Sequence, residues 1–117
     1  MAQFRFEELD IWKRACDVGD ELCDLADALE KKRLYRFAEQ LRGAALSISN
    51  NIAEGSGSSS KPEFKNFLNY ARRSVYEDAN MIAFLERRGY IAQETKIRLL
   101  DELEQLSKMI LGFSRSL

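Results

Sequence analysis

SISNNIAEGSGSSSKPEF, residues 47–64, contains the end of one helix, a flexible connection and the start of the next helix. Gly55 follows an apolar helical stripe, at a position where helices commonly end in the left-handed conformation. Beyond the serine-rich connection, Ser60 and Glu63 have the spacing of a capping box, and Pro62 is tolerated in a first helical turn. The segment therefore predicts two helices joined by a short flexible turn.

A phosphate-binding P-loop is excluded for this segment. That motif places glycine, lysine and then serine or threonine between a strand and a helix. Here Ser60 precedes Lys61, Pro62 follows it, and the element before the glycines is a predicted helix. We therefore interpret the glycine- and serine-rich residues as a hinge between two helices.

Apolar residues recur at three- and four-residue steps on both sides of this segment, and no stretch alternates apolar with polar residues as a strand would. We predict helices at about 7–29, 34–54 and 60–88, and a fourth with apolar positions from 97 to 117. Gly89 is expected to end the third helix. Helices of this length with short connections predict an all-α protein, an antiparallel up-down-up-down four-helix bundle that forms a single domain, residues 1–117.

Composition narrows the class of protein further. Hydrophobic residues make up 45% of the 117 residues and charged residues 32%, which is typical of a soluble globular domain. No stretch approaches the roughly 20 apolar residues of a membrane span. The amino terminus lacks the apolar core of a signal peptide, so we expect a cytoplasmic protein.

The chain contains no histidine, which removes serine–histidine and cysteine–histidine nucleophile pairs and most transition-metal sites. Cys16 and Cys23 are about two helical turns apart, too far for a disulfide, and we interpret them as small apolar residues. We therefore predict no catalytic residue, no metal site and no cofactor. The alternative is an enzyme that uses Asp78, Glu54 or Glu77.

The third predicted helix has an apolar arc of roughly 200°, wider than a bundle helix needs to bury one stripe. Beyond its core positions the arc continues through Tyr70, Met81 and Phe84. The surplus predicts a second buried surface and hence a homo-oligomer. Asp78 also lies inside the arc, where a buried carboxylate needs a cationic or hydrogen-bonding partner. To the oligomer interface we assign Phe67, Tyr70, Met81, Phe84, Asn51 and Glu54.

Ser47, Asn50, Asn51 and Glu54 share one face of the second helix, because they are spaced i, i+3, i+4 and i+7. Two interpretations of this polar face remain open. It is either a solvated helix end or a hydrogen-bonded seam against a neighbouring helix or subunit, in which each polar group finds a partner.

The other face of the third helix is basic and contains no acidic residue. Cations that alternate with an aromatic ring and amides can hold phosphates and stack a base, although such a face is often only solvated. We predict nucleic-acid binding here. The residues of this face are Lys65, Asn69, Arg72, Arg73, Tyr76, Asn80 and Arg87.

Charge is also segregated along the chain. Residues 7–30 contain nine acidic and two basic residues, a net charge of −7, whereas residues 31–73 contain nine basic and three acidic residues, a net charge of +6. Oppositely charged surfaces on one protomer favour head-to-tail association in a ring. The overall net charge of −1 argues against strong non-specific nucleic-acid binding by a monomer.

The segments FEELDIW, AEQLRGAALSISNNIAEG, EFKNFLNYARRS and RRGY resemble the four-helix-bundle family encoded by intervening sequences in bacterial 23S ribosomal RNA genes. The resemblance covers nearly the whole chain from Phe6 onward. It implies a cytoplasmic homopentamer without a known enzymatic activity. It also implies kinship with the accessory variability determinant proteins of diversity-generating retroelements, which bind nucleic acid and a partner reverse transcriptase. Arg73 and Asp78 stand where the family usually has a glycine and an apolar residue.

From these features we expect a non-enzymatic, homo-oligomeric scaffold or accessory protein that binds RNA or DNA through the basic face of the third helix. By resemblance, we expect the oligomer to be a pentamer. The alternative is a protein-binding adaptor, for example for a polymerase or a ribonucleoprotein, that makes no direct contact with nucleic acid.

Overall fold

A computed structural model describes residues 2–117 of the chain. A short 3-10 helix, Arg5–Glu8, precedes four α-helices. These are α1 (Asp10–Lys31), α2 (Tyr35–Ser56), α3 (Lys61–Arg87) and α4 (Gln93–Ser116). Each helix packs against the next one along the chain, and α1 also contacts α4. The predicted all-α four-helix bundle is therefore confirmed.

The core is a continuous set of apolar side chains that all four helices supply. Burying each leucine or isoleucine completely contributes about 1.5–3 kcal/mol, so this layer is the main source of stability. The largest fully buried side chains are Leu22, Leu29, Leu41, Ile48, Ile52, Leu68, Ile82, Leu85, Leu99, Leu103, Leu106 and Ile110. Among residues 2–117, no helix is both long enough and apolar enough to cross a membrane.

The boundaries of α3 follow the signals in the sequence. The hydroxyl of Ser60 accepts a hydrogen bond from the backbone N–H of Glu63 at 3.3 Å, and Pro62 lies in the first turn. At the other end, Gly89 has a φ of +77°, a left-handed conformation that glycine adopts without the steric penalty of a side chain. The serine cap and the end of the helix before Gly89 are confirmed, whereas the return bond from Glu63 that would complete the capping box is not among the hydrogen bonds of residues 2–117.

The prediction for Gly55 is wrong. α2 continues through Gly55 to Ser56, and Gly55 is buried within the helix. A Cβ atom at this position would lie 2.8 Å from both Phe64 Cδ1 and Phe67 Cβ. Glycine is present here because α3 approaches the backbone of α2 closely, and not because the chain turns.

The cysteines of α1 and the first apolar residue predicted for α4 lie outside the buried stripes. In α1 the buried residues are Ile11, Ala15, Val18, Leu22, Ala26 and Leu29. Cys16 and Cys23 are therefore half-buried free thiols at the edge of the core. In α4 the buried stripe begins at Leu99, and Ile97, predicted to be apolar core, is 60% exposed.

The contact between α1 and α4 is the sparsest between neighbouring helices, and charged side chains bridge it. The guanidinium of Arg98 binds the carboxylate of Glu21 and lies 3.6 Å from that of Glu102. A hydrogen bond between the two carboxyls raises the pKa of Glu102 and lowers that of Glu21. This cluster closes the bundle where apolar packing is least extensive.

Candidate functional site

The predicted basic residues form a stripe along the outer face of α3, opposite the core. Lys65, Arg73 and Arg87 are exposed and Arg72 is half-buried. From Lys65 to Arg87 the stripe extends roughly 33 Å at 1.5 Å per residue. Within residues 2–117, none of these cations lies within 4 Å of a carboxylate. The stripe is therefore a cationic surface that the chain does not neutralise itself.

A groove of about 420 Å³ lies beside this stripe, between α3 and α4. Its accessible apolar wall is formed by Ala79 and Leu100, and the core residues Val75 and Leu103 also line it but are buried. Tyr76, 65% exposed, is also part of its lining. The ring can therefore contact a ligand while the bundle provides an apolar surface next to it.

A contact with α4 holds the side chain of Arg72 in the lining of this groove. Its Nε donates a hydrogen bond to the hydroxyl of Ser107 at 3.4 Å. Ser107 is buried, and it provides one of the few buried polar side chains of the bundle. The hydrogen bond fixes the base of the guanidinium and leaves its two terminal nitrogens available for an anion.

Two carboxylates lie beside the basic surface that was predicted to be free of acid. On α3 itself, Glu77 shares a polar concavity with Arg73. α4 brings Glu104 to the groove beside Arg72, where Glu104 pairs with Lys108 at 3.3 Å. Together with Arg72, these three side chains have a net charge of +1. The carboxylate of Glu104 lies on the α4 side, so the side formed by α3 is the more attractive one for an anion.

A second, shallow depression of about 400 Å³ adjoins the first and shares two of its residues. It is lined by Asn69, Arg72, Arg73 and Tyr76. The structure thus brings these four predicted residues together, whereas Lys65 and Arg87 lie toward the two ends of the stripe. Cationic, amide and aromatic groups in one place can bind a phosphate and a planar ring at the same time.

The residues that we assigned to an oligomer interface follow the outer edge of the contact between α2 and α3. Asn51, Tyr70 and Arg73 line a polar concavity there of about 380 Å³. Tyr70 is 46% exposed, and Phe84, about four turns further along the same helix, is 45% exposed. Glu54 is exposed on α2. Five of the six assigned residues therefore retain accessible surface: Phe67, Tyr70, Phe84, Asn51 and Glu54.

Met81 is different, because only 9% of its surface is exposed and it belongs to the core of its own chain. The aromatic residues at the edge are also partly covered within the chain. The ring of Phe84 lies 6.2 Å from that of Phe37, and the ring of Phe67 lies 6.0 Å from that of Tyr70, as centroid distances. The apolar surplus of α3 is thus smaller than its sequence indicates.

The polar face of α2 forms a seam with α3 inside the chain. The hydroxyls of Ser47 and Ser74 are 2.8 Å apart, and the amide of Asn51 donates to the backbone carbonyl of Ser47 at 2.8 Å. Asn50 and Glu54 point outward and are exposed. Of the two interpretations of this face, the hydrogen-bonded seam thus applies to Ser47, which reaches Ser74 of α3. Asn51 is half-buried and bonds within α2, and the solvated helix end applies to Asn50 and Glu54.

Asp78 is 0% exposed, and neither of its carboxyl oxygens has a hydrogen-bond partner among the described residues. Burial, followed by repulsion from Glu77, raises the pKa of Asp78 to about 8. The buried residues of α1, α2 and α4 include no ionisable side chain that could pair with it. Asp78 is therefore a neutral acid at pH 7 and has no access to a ligand.

The acidic surface of α1 is partly neutralised within the chain. Arg42 of α2 binds both Asp27 and Glu30, and Arg98 binds Glu21. Asp17, Asp20 and Asp24 stay exposed. In the part of the chain that the structure covers, residues 2–117, no group of three potential metal ligands comes together.

The α4 side of the groove could not be identified from the sequence. Glu104, Ser107 and Lys108 belong to a helix whose own pattern indicates only a core stripe and a solvated face. Their proximity to Arg72 and Tyr76 depends on the register between α3 and α4. A pattern within one helix does not contain that information.

These features define a small all-α bundle with an exposed cationic surface. The family model described as 23S rRNA-intervening sequence protein matches residues 7–112, so the chain belongs to this family. No curated protein matches the chain.

A solved structure has the same fold. It is the 1.70 Å crystal structure of a protein with unknown function from the S23 ribosomal protein family of Bacteroides thetaiotaomicron VPI-5482. The two structures superpose with a TM-score of 0.85 at 20% sequence identity, over 90% of this chain and 95% of that chain. At this level of identity the similarity shows the shared fold.

Proposed function

We propose that this protein is a non-enzymatic helical scaffold that binds single-stranded or structured RNA or DNA through the outer face of α3 and acts as a homo-oligomer. The observation that carries the proposal is the stripe of four cations, Lys65, Arg72, Arg73 and Arg87, which have no carboxylate partner in residues 2–117. Every other helix pairs at least one of its cations with a carboxylate or carries mainly acidic charge on its outer face.

A surface that binds phosphates is expected to contain cations without carboxylate partners. Each cation that meets a phosphate releases condensed counterions, and this release supplies most of the non-specific affinity. Tyr76 adds an exposed ring at the middle of the stripe, and stacking on such a ring is independent of base sequence. Together these groups favour backbone-dominated binding with little sequence preference.

The self-association that we propose would strengthen nucleic-acid binding. The net charge of −1 gives a single chain little long-range attraction for nucleic acid. A ring in which the acidic surface of α1 faces inward or packs against a neighbour would present several basic stripes on one surface, and multivalent contact raises the apparent affinity. The exposed rings of Tyr70 and Phe84 at the α2–α3 edge are the contacts that we assign to the oligomer, a homopentamer by resemblance to the family.

The resemblance to accessory proteins of retroelements suggests a role beside a polymerase. In this role the bundle would hold a nucleic acid while a protein partner acts on it. A protein-binding adaptor that makes no nucleic-acid contact is the competing function. Capture of a protein partner that withstands nuclease treatment and charge reversal on α3 would favour the adaptor.

Charge reversal tests the proposal directly. In Arg72→Glu/Arg73→Glu, we expect binding of a labelled RNA or DNA strand to fall by at least about tenfold, because repulsion replaces attraction at the centre of the stripe. The matched control is Lys13→Glu/Lys31→Glu, which makes the same change in net charge on α1, a helix that does not contact α3. Equal losses in both variants, or no loss in either, would overturn the proposal.

A further inference from the structure

The two depressions beside Tyr76 divide one ligand-sized space into an apolar half and a cationic half. The groove between α3 and α4, about 420 Å³, has an apolar wall. The adjoining depression, about 400 Å³, contains Asn69, Arg72 and Arg73 and no acidic side chain. Arg72 and Tyr76 line both. A molecule that carries a flat ring and an anion a few ångströms apart matches this division.

We propose that this space is a nucleotide subsite for single-stranded RNA or DNA, in which an unpaired base lies on Tyr76 over the α3–α4 groove and its phosphate binds Arg72 and Arg73. The inference rests on the proposed function and specifies its substrate class.

The groove selects for an unpaired base. A base inside a duplex is stacked on both sides and hydrogen-bonded to its partner, so its face is not available to a side chain that projects from a helix. In a single strand the base can turn out of the strand and lie against Ala79 and Leu100, which are partly exposed, next to the tyrosine ring. Burial of a planar ring against this wall adds a hydrophobic contribution that a duplex cannot obtain.

The charges orient the strand across the groove. On the α4 side Glu104 is paired with Lys108 and the two charges cancel, whereas Arg72 and Arg73 on the α3 side have no carboxylate partner. The hydrogen bond from Arg72 Nε to Ser107 keeps the guanidinium at the boundary of the two depressions. The phosphate is therefore expected to follow α3, with the base directed toward α4.

Fluorescence anisotropy with labelled RNA probes of about 12 nucleotides tests the subsite, since single-stranded sites commonly cover about 4–16 nucleotides. The probes are an unstructured single strand and the duplex formed from it and its complement. We expect Tyr76→Ala to weaken single-strand binding by about tenfold and to affect duplex binding little. Tyr76→Phe keeps the ring and should bind like the parent protein.

Tyr35→Ala is the matched control, because Tyr35 is a comparably exposed tyrosine on α2, away from the groove. Circular dichroism and unfolding midpoints of all variants verify the fold, which these exposed substitutions should not alter. Competition by the unlabelled single strand and by a free nucleoside monophosphate shows whether the site binds a strand or a small ligand. Only the unlabelled strand should displace the labelled probe at micromolar concentration.

Each outcome has a distinct meaning. Parent-like binding by Tyr76→Ala, equal affinity for duplex and single strand, or displacement by the mononucleotide at the same concentration would overturn the subsite. If the Arg72→Glu/Arg73→Glu variant still loses binding in those cases, the proposed function stands without the subsite. Absence of binding to both probes by the parent protein would overturn the proposed function and the subsite together.

Discussion

Gly55 packs directly against Phe67: a Cβ added to the glycine would lie 2.8 Å from Cβ of the phenylalanine and as close to Cδ1 of Phe64. Neither contact can be relieved by moving the far end of a flexible side chain. Cβ of Phe67 is bonded to the backbone of α3, and Cδ1 of Phe64 belongs to a buried ring. The missing side chain allows α2 and α3 to approach at the point where the chain reverses.

Gly55→Ala is therefore expected to destabilise the protein. Overpacking of a close helix contact typically costs about 1–3 kcal/mol, which exceeds the gain of about 1 kcal/mol from replacing glycine in a helix. Urea unfolding measures the difference. Gly43→Ala is the control on the same helix: its added Cβ meets nothing within 4 Å, so it should stabilise by about 0.5–1 kcal/mol. Stabilisation by both substitutions would contradict the packing role of Gly55.

Asp78 is expected to make stability depend on pH. Its pKa is raised to about 8 in the folded protein from an ordinary value of 3.8. Between these values the folded state keeps a proton that the unfolded state releases, so stability falls as pH rises. The maximal slope for one such group is about 1.4 kcal/mol per pH unit. Asp78→Leu removes this titrating group. The free energy of unfolding of the variant should exceed that of the parent, and the difference should be several times larger at pH 8 than at pH 5.

Unfolding midpoints of the parent and Asp78→Leu across this pH range test the prediction. Glu77→Gln serves as a control for the exposed neighbour, and it should shift the profile only slightly. Parallel profiles for the parent protein and Asp78→Leu would show that the buried carboxyl does not titrate in this range.

The α2–α3 edge is expected to mediate self-association. Tyr70→Glu/Phe84→Glu places two charges on exposed rings that we assign to the interface, and desolvating them would oppose assembly. Light scattering at several protein concentrations should show an oligomer for the parent and a smaller species for the variant. Tyr35→Glu/Leu46→Glu changes two similarly exposed apolar residues elsewhere and should remain oligomeric. A parent protein that is monomeric at all concentrations would refute the interface.

Arg98 is expected to hold α1 and α4 together. Arg98→Met removes its ion pairs with Glu21 and Glu102 and should cost about 0.5–1 kcal/mol at low salt, and less at high salt because the pairs are partly exposed. Urea unfolding at two salt concentrations measures both effects. Arg115→Met, at an exposed cation outside any ion pair among residues 2–117, should leave stability unchanged. An equal, salt-independent effect of both substitutions would contradict the role of Arg98.

Most of the fold could be predicted from the sequence, because helix periodicity and end signals act locally. The serine cap at Ser60 and the positive φ at Gly89 depend only on neighbouring residues. The start of the buried stripe of α4 could not be predicted, because Ile97 and Leu99 are both apolar and only packing against α1 and α3 decides which one is buried. Gly55 was misassigned for the same reason: its role depends on Phe64 and Phe67 across the hinge.

Only the α3 side of the candidate site could be predicted from the sequence. Lys65, Asn69, Arg72, Arg73 and Tyr76 share a helical face, and this follows from their spacing. The groove wall and the acidic residue Glu104 come from α4, and their position depends on the register between two helices. The surplus of apolar surface on α3 was overestimated because α2 buries Met81 and partly covers Phe84.

The salt dependence of single-strand binding tests the central claim most directly. Four unpaired cations along α3 predict that the logarithm of the association constant falls with the logarithm of salt concentration with a slope of about −3 per protomer engaged. Reversal of Arg72 and Arg73 should reduce the magnitude of this slope by about one to two. Binding whose affinity is independent of salt, or a slope that the reversal leaves unchanged, would contradict the claim that the α3 stripe binds nucleic acid.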